Sequence, residues 1–317
     1  MYQQFFGLRE DPFRVNPDPR YLYLTPSTQE ALASLAYGIH NRYGIILMTG
    51  EVGTGKTTLL HALLDGLRQA RAVTAFIFNT RLSVGGLFDC LMTDFGIACE
   101  SNTKSEKVSR LNHWLLDRFR AGQTAVLIVD EAQNLSVAVL EEIRLLTNLE
   151  TSTEKLLQIV LSGQPELEEK LKCTQLRQLR QRITIRCQTA ALSAEETQGY
   201  IVKRLFIAGA EGQPIFSPEA MESVYTYSQG IPRLINILCE HALIHAFADQ
   251  TRSVSAAHVA AVAKDFDLDR TASDTSPSSR KYQRNPGDWD ANRGMLGDTG
   301  LSSSPTSVPA RGGESEQ

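Results

Sequence analysis

The chain has 317 residues, 42% of them apolar, and a formal net charge of −4, enough for two ordinary domains with packed cores and with no overall basic footprint calling for nucleic acid or an anionic membrane. Its five cysteines (Cys90, Cys99, Cys173, Cys187 and Cys239) are odd in number and lack CxxC spacing, which argues against a disulfide framework or zinc knuckle and for a reducing, cytoplasmic compartment. No run of about 18 apolar residues occurs and the first residues lack a basic start, so neither a signal peptide nor a direct membrane span is expected.

In chain order, "FFGLREDPF" reads as a strap packed on the core, or as a clamp on a ligand or a neighbouring subunit. Strand-like runs follow: "GIILMTG", "AVTAFIFNT", "TAVLIVDE", "LLQIVLSG" and "RITIRCQT". Helical patterns separate them, among them Leu87 to Phe95, Val108 to Arg120 and Val137 to Leu149. Strands apolar on both faces that alternate with helices predict an α/β fold, a parallel five-stranded sheet in an αβα sandwich over residues 1–190. From Ser193 the strands stop. Four amphipathic helices, opened by Ser caps or by Pro in the first turn, predict a small all-helical domain over residues 191–267. Residues 268–317, rich in Ser, Gly, Pro and Asp, are expected to be a disordered tail.

The most specific motif follows the first strand. "GEVGTGKT", Gly50, Glu51, Val52, Gly53, Thr54, Gly55, Lys56 and Thr57, matches GxxxxGK[ST], with Thr58 continuing into "TLLHALLDGL". Glycines let backbone N–H groups curl around phosphate oxygens, Lys56 reaches the β- and γ-phosphates, and the Thr57 hydroxyl ligates Mg²⁺. A nucleoside triphosphate is the expected ligand. "LIVDE" then gains a role, because ligands of a parallel sheet bind beyond the carboxyl ends of its strands. If the two strands are near neighbours, Asp130 anchors the metal through water and Glu131 polarises the attacking water.

Together with "LSGQPEL", an Arg-rich stretch "LRQLRQRITIR" and "GIPR" before a helix, these motifs make the chain resemble an AAA+ P-loop ATPase with a helical lid. More narrowly, "FFGLREDPFRVNPDPRYLYLT", "DEAQNLSVAVLEEIRLLTNLE" and "LSGQPELEEKL" resemble the ExeA/GspA group of general-secretion ATPases, similar in turn to TnsC-type transposition regulators. The resemblance covers about residues 1–265. It implies that Asn79 is a switch on Glu131, that Ser162, or alternatively Gln164, is a sensor of the γ-phosphate, and that Arg233 is a second sensor carried by the lid. It implies a base pocket near Tyr21, Tyr23 and Leu24, and an ATP-dependent homo-oligomer in which an arginine reaches the neighbour's site, Arg180 or Arg182 ahead of Arg177. A solvated face, or ion pairs with Glu166, Glu168 and Glu169, remains open for these arginines. ExeA-type chains continue into a membrane helix and a periplasmic peptidoglycan-binding domain, whereas this one runs into a polar tail, which favours shorter relatives that accompany exopolysaccharide or exosortase systems. The implied function is remodelling or assembly of a protein partner in secretion or envelope building. The alternative, a DNA-bound regulator, is less favoured by the acidic balance.

Overall fold

The computed structural model of the protein describes residues 1–78, 81–98, 103–210, 212 and 214–268. Five strands, β1 (Ile45–Gly50), β2 (Val73–Ile77), β3 (Ala125–Val129), β4 (Leu157–Gly163) and β5 (Ile183–Thr189), form one parallel sheet in the order β2-β3-β4-β1-β5. β1, β3 and β4 are buried along their whole length, as their unbroken apolar runs demand. β2 and β5 are flanking strands with mixed burial. The β2 edge is partly closed by the Asp94 carboxylate, which accepts the Phe76 N–H at 2.9 Å.

Helices cover both faces. α2 (Pro26–His40) and α3 (Lys56–Gln69) bury Leu35, Leu60 and Leu63 against Ile46, Met48, Val126 and Val160. The alternate residues Ile45, Leu47, Leu127 and Ile159 face the other side. There α4 (Val84–Asp94), α5 (Lys104–Arg120), α6 (Val137–Leu146), α7 (Pro165–Leu171) and α8 (Arg177–Arg182) supply the opposing core. α4 and α5 each begin about a turn before the expected position. Ser83 caps α4 by accepting the Gly86 N–H, and the first turn of α5, "KSEK", is polar and gives no apolar cue. α6 stops at Leu146, where the Thr147 hydroxyl donates to the Arg144 carbonyl. No helix among the described residues is long and apolar enough to cross a membrane.

β1 and β3 are not adjacent: β4 lies between them. Its register sets Met48 opposite Ser162 and Val129 opposite Leu161, so the end of β4 bridges the ends of the two strands that carry the sequence motifs.

α9 (Ala194–Ile207), α10 (Pro218–Ser228), α11 (Pro232–Ala248) and α12 (Ala256–Asp265) share a separate core. Ser193, Ser217 and Ser255 occupy the expected cap positions. The N-terminal strap, expected on the sheet domain, packs on these helices instead. Leu8 and Phe13 lie in the helical core, the Arg9 N–H donates to the Ala208 carbonyl at 2.7 Å, and the Tyr2 hydroxyl donates to Glu240 at 2.6 Å. Both sheet faces are already covered, so the strap's apolar side chains gain burial only against the helices. That placement brings the chain after the strap, residues 14–23, to the open end of the sheet.

Candidate active site

The chain beyond β1, β3 and β5, the residues after the strap, α9 and the start of α11 enclose a cleft of about 350 Å³. Residues 52–58 form one wall. Gly53 takes a left-handed conformation (φ 82°), its carbonyl accepts the Arg233 N–H at 3.2 Å, and a Cβ there would lie 2.8 Å from the Arg233 Cβ. Only glycine lets the phosphate-type loop meet α11 this closely. Gly50 and Glu51 sit behind this wall, where their carbonyls accept from the Lys56 ammonium at 2.7 and 2.9 Å. Lys56 is 6% exposed and its ammonium bonds only these neutral carbonyls. Burial pushes its pKa below the ordinary lysine range, against the pull of Glu131, Asp130 and Glu51. A buried ammonium of this kind favours an incoming anion.

Asp130, also buried, is the hub. Its Oδ2 accepts the Thr57 hydroxyl at 2.8 Å, and its Oδ1 accepts the Ser162 hydroxyl at 2.8 Å and the Glu131 N–H at 3.0 Å. The Thr57 hydroxyl and the Asp130 carboxylate stand together, an arrangement that fits a Mg²⁺ ligated by Thr57 with Asp130 holding a water of its shell. Among the described residues no group of three His, Cys, Asp or Glu side chains could cage a metal, which leaves the remaining ligands to phosphate and water, the usual arrangement for Mg²⁺. Ser162, the expected sensor, is fully buried and its hydroxyl donates to Asp130.

Glu131 lines the cleft in a left-handed conformation (φ 53°, ψ 36°) that a side chain rarely adopts. The Gln133 amide holds it at 2.5 Å and the Gln164 amide at 3.2 Å. Gln133 is itself fixed, because its Oε1 accepts the Gln164 N–H at 3.1 Å and only its NH₂ is left for Glu131. Gln164, the alternative sensor, therefore stands beside the glutamate. Gln133 was not singled out from sequence; its place two residues after Glu131 is the only local clue. Asn79 lies outside the described residues.

Arg233 lines the cleft from the first turn of α11, and its side chain has no hydrogen-bond or ionic partner among the described residues. Tyr21 and Tyr23 line the opposite end, whereas Leu24 does not: it is exposed, and Leu22 takes the lining position. None of the three α8 arginines reaches this cleft. Arg182 donates to Thr147 Oγ1, to Asn148 Oδ1 at 2.7 Å and to the Arg144 carbonyl at 3.4 Å, all within its own subunit. Arg177 and Arg180 are exposed and without a partner among the described residues. Glu169 pairs with Lys172, and Glu168 accepts from Thr49 and Gln188.

A phosphate-type loop after β1, an acidic strand end one strand away on the same parallel sheet and helices bordering the cleft make up the fold of an AAA+ P-loop protein. The chain matches, over residues 39–171, a family model described as an AAA domain. It is 46% identical over 249 residues, 78% of its length, to General secretion pathway protein A of Aeromonas hydrophila, and it spans 45% of the length of that relative. Among solved structures it is similar to the Aeropyrum pernix ORC2 protein (TM-score 0.61, 14% identity, 81% of this chain and 71% of that one). It is similar also to the Thermotoga maritima RuvB Holliday junction branch migration motor (TM-score 0.54, 15% identity, 80% and 76%). At such identities these two matches speak for the fold alone.

Proposed function

We propose that the chain is an ATPase that binds ATP with Mg²⁺ in this cleft and works as an oligomer to assemble or remodel a protein partner of a secretion or envelope system. One observation carries the ATPase reading: Asp130 joins Thr57 and Ser162 in one hydrogen-bonded unit, with Glu131 beside it and Lys56 buried opposite. Lys56 leaves the Gly50 and Glu51 carbonyls to hold the β- and γ-phosphates. Thr57 and Asp130 would hold Mg²⁺, which when bound neutralises charge on the phosphates. Glu131, aimed by Gln133 and Gln164, takes a proton from the attacking water, and Arg233 contacts the phosphates from the lid. Residues 191–267 serve as that lid and carry the strap with them, while residues 1–190 otherwise form the catalytic core.

The secretion reading is supported by the identity to General secretion pathway protein A. It predicts that duplex DNA leaves the ATPase rate unchanged within about twofold at low salt. Phosphate release measured with and without DNA over a salt series checks this. A large stimulation that collapses steeply with salt would instead assign the chain to DNA work.

A further inference from the structure

Beyond the phosphate end, the cleft is bordered by three polar side chains that are all more than nine-tenths buried: Tyr200 and Arg204 on α9, and Asn236 on α11. Buried polar groups in a helical core are costly unless satisfied. Arg204 has no hydrogen-bonded carboxylate among the described residues. Its guanidinium donates to the Pro12 carbonyl at 2.5 Å, the Arg14 carbonyl at 3.2 Å and the Tyr200 hydroxyl at 2.8 Å, and it lies 4.5 Å from the Tyr21 ring centre. The strap is thereby tied to the lid at the cleft's edge.

The polarity of this chain is forced. Arginine can only donate, so the Tyr200 oxygen accepts from Arg204 and its own proton goes to Asn236, 2.9 Å away. Were the Asn236 amide reversed, the phenol would accept twice and its buried proton would have no partner, the costly case for a buried donor. Asn236 thus uses Oδ1 inward. Its Nδ2 has no acceptor among the described residues and is not sealed from solvent. Asn236 follows Arg233 by three residues on one helix, so it stands one turn further from the phosphate loop on the same side.

We infer that Asn236 is a specificity-determining residue that reads the nucleoside end of the nucleotide, its amide donating to an acceptor on the base or ribose, with Arg204 and Tyr200 as positioning residues that lock the amide. The inference rests on the proposed ATP site. It also gives the strap a consequence for binding: chain that packs on the lid core sets the orientation of a group facing the ligand.

The test is equilibrium binding by the full chain of ATP, 2′,3′-dideoxy-ATP and inorganic tripolyphosphate, the last carrying the phosphates without the nucleoside. Asn236→Ala is expected to weaken ATP about tenfold and leave tripolyphosphate unchanged, the loss of one hydrogen bond at the nucleoside. Tyr200→Phe, which keeps the ring and unlocks the amide, is expected to weaken ATP about threefold by the same selective pattern, and serves if the alanine variant folds poorly. If the acceptor is on the base, dideoxy-ATP shows the same loss as ATP. If it is a ribose hydroxyl, the wild-type chain already binds dideoxy-ATP as weakly as Asn236→Ala binds ATP. Either result supports the inference. Equal loss of ATP and tripolyphosphate, or unchanged ATP binding in both variants while the wild-type chain binds ATP normally, overturns this inference alone. A wild-type chain that binds no ATP overturns the proposed function as well.

Discussion

Glu131→Gln is expected to bind ATP with Mg²⁺ about as well as the wild-type chain while its turnover falls by about 10² to 10⁴, the range a positioned proton acceptor contributes. The substitution keeps the shape of the side chain and its place beside Gln133 and Gln164, but removes the basic oxygen that those amides hold. It leaves the Thr57–Asp130–Ser162 unit intact, so the metal end of the cleft is preserved. Single-turnover phosphate release, with nucleotide binding followed separately, checks the prediction. Turnover within a few fold of wild type would remove Glu131 from the mechanism.

Arg180→Ala is expected to lower turnover by about 10³ to 10⁵, the contribution of an arginine to charge on a transferring phosphoryl group in related P-loop enzymes. Within one subunit the cleft is lined by Lys56, Thr57, Glu131 and Arg233 and by none of the α8 arginines. Arg180, exposed and unpartnered among the described residues, is free to act on a neighbour, whereas Arg182 is tied to Thr147 and Asn148. Turnover per subunit should therefore rise with protein concentration. Mixing Arg180→Ala chains with Lys56→Ala chains should restore activity that neither has alone, because the second type supplies an intact arginine to the intact site of the first. Arg182→Ala should act differently, lowering the melting temperature before it lowers the rate. A chain that stays monomeric with ATP and Mg²⁺, with a rate indifferent to Arg180, contradicts the proposal.

What could be read from sequence follows from how local each interaction is. A phosphate loop uses consecutive backbone N–H groups and a lysine on the adjoining helix turn, so "GEVGTGKT" carries its own geometry. The unbroken apolar runs of β1, β3 and β4 are legible for a similar reason, since a strand covered on both faces has no polar positions to blur it. Asp130 and Glu131 were legible as a pair at a strand end, but not the partners they take. That Ser162 serves Asp130 depends on the β3–β4 register, and that Gln133 serves Glu131 depends on a short turn after β3. The least legible part was the buried polar cluster beside the cleft. Pro12, Arg14, Tyr200, Arg204 and Asn236 are brought together from three distant segments, and an arginine within "YIVKRLF" looks like an ordinary surface residue until the strap's docking is known. The role of Arg182 was hidden likewise, because its acceptors lie at the end of α6 and not on its own helix.

ATP is expected to bind this cleft through Lys56, and calorimetric titration of ATP with Mg²⁺ into the wild-type and Lys56→Ala chains checks it. Lys56 is buried with only the Gly50 and Glu51 carbonyls as partners, so triphosphate should bind the wild-type chain in one saturable step at one site per subunit. The variant, which lacks the only buried ammonium on the phosphate wall, should show no measurable binding over the same range. Equal affinity in the two chains, or no binding by either, would contradict the account.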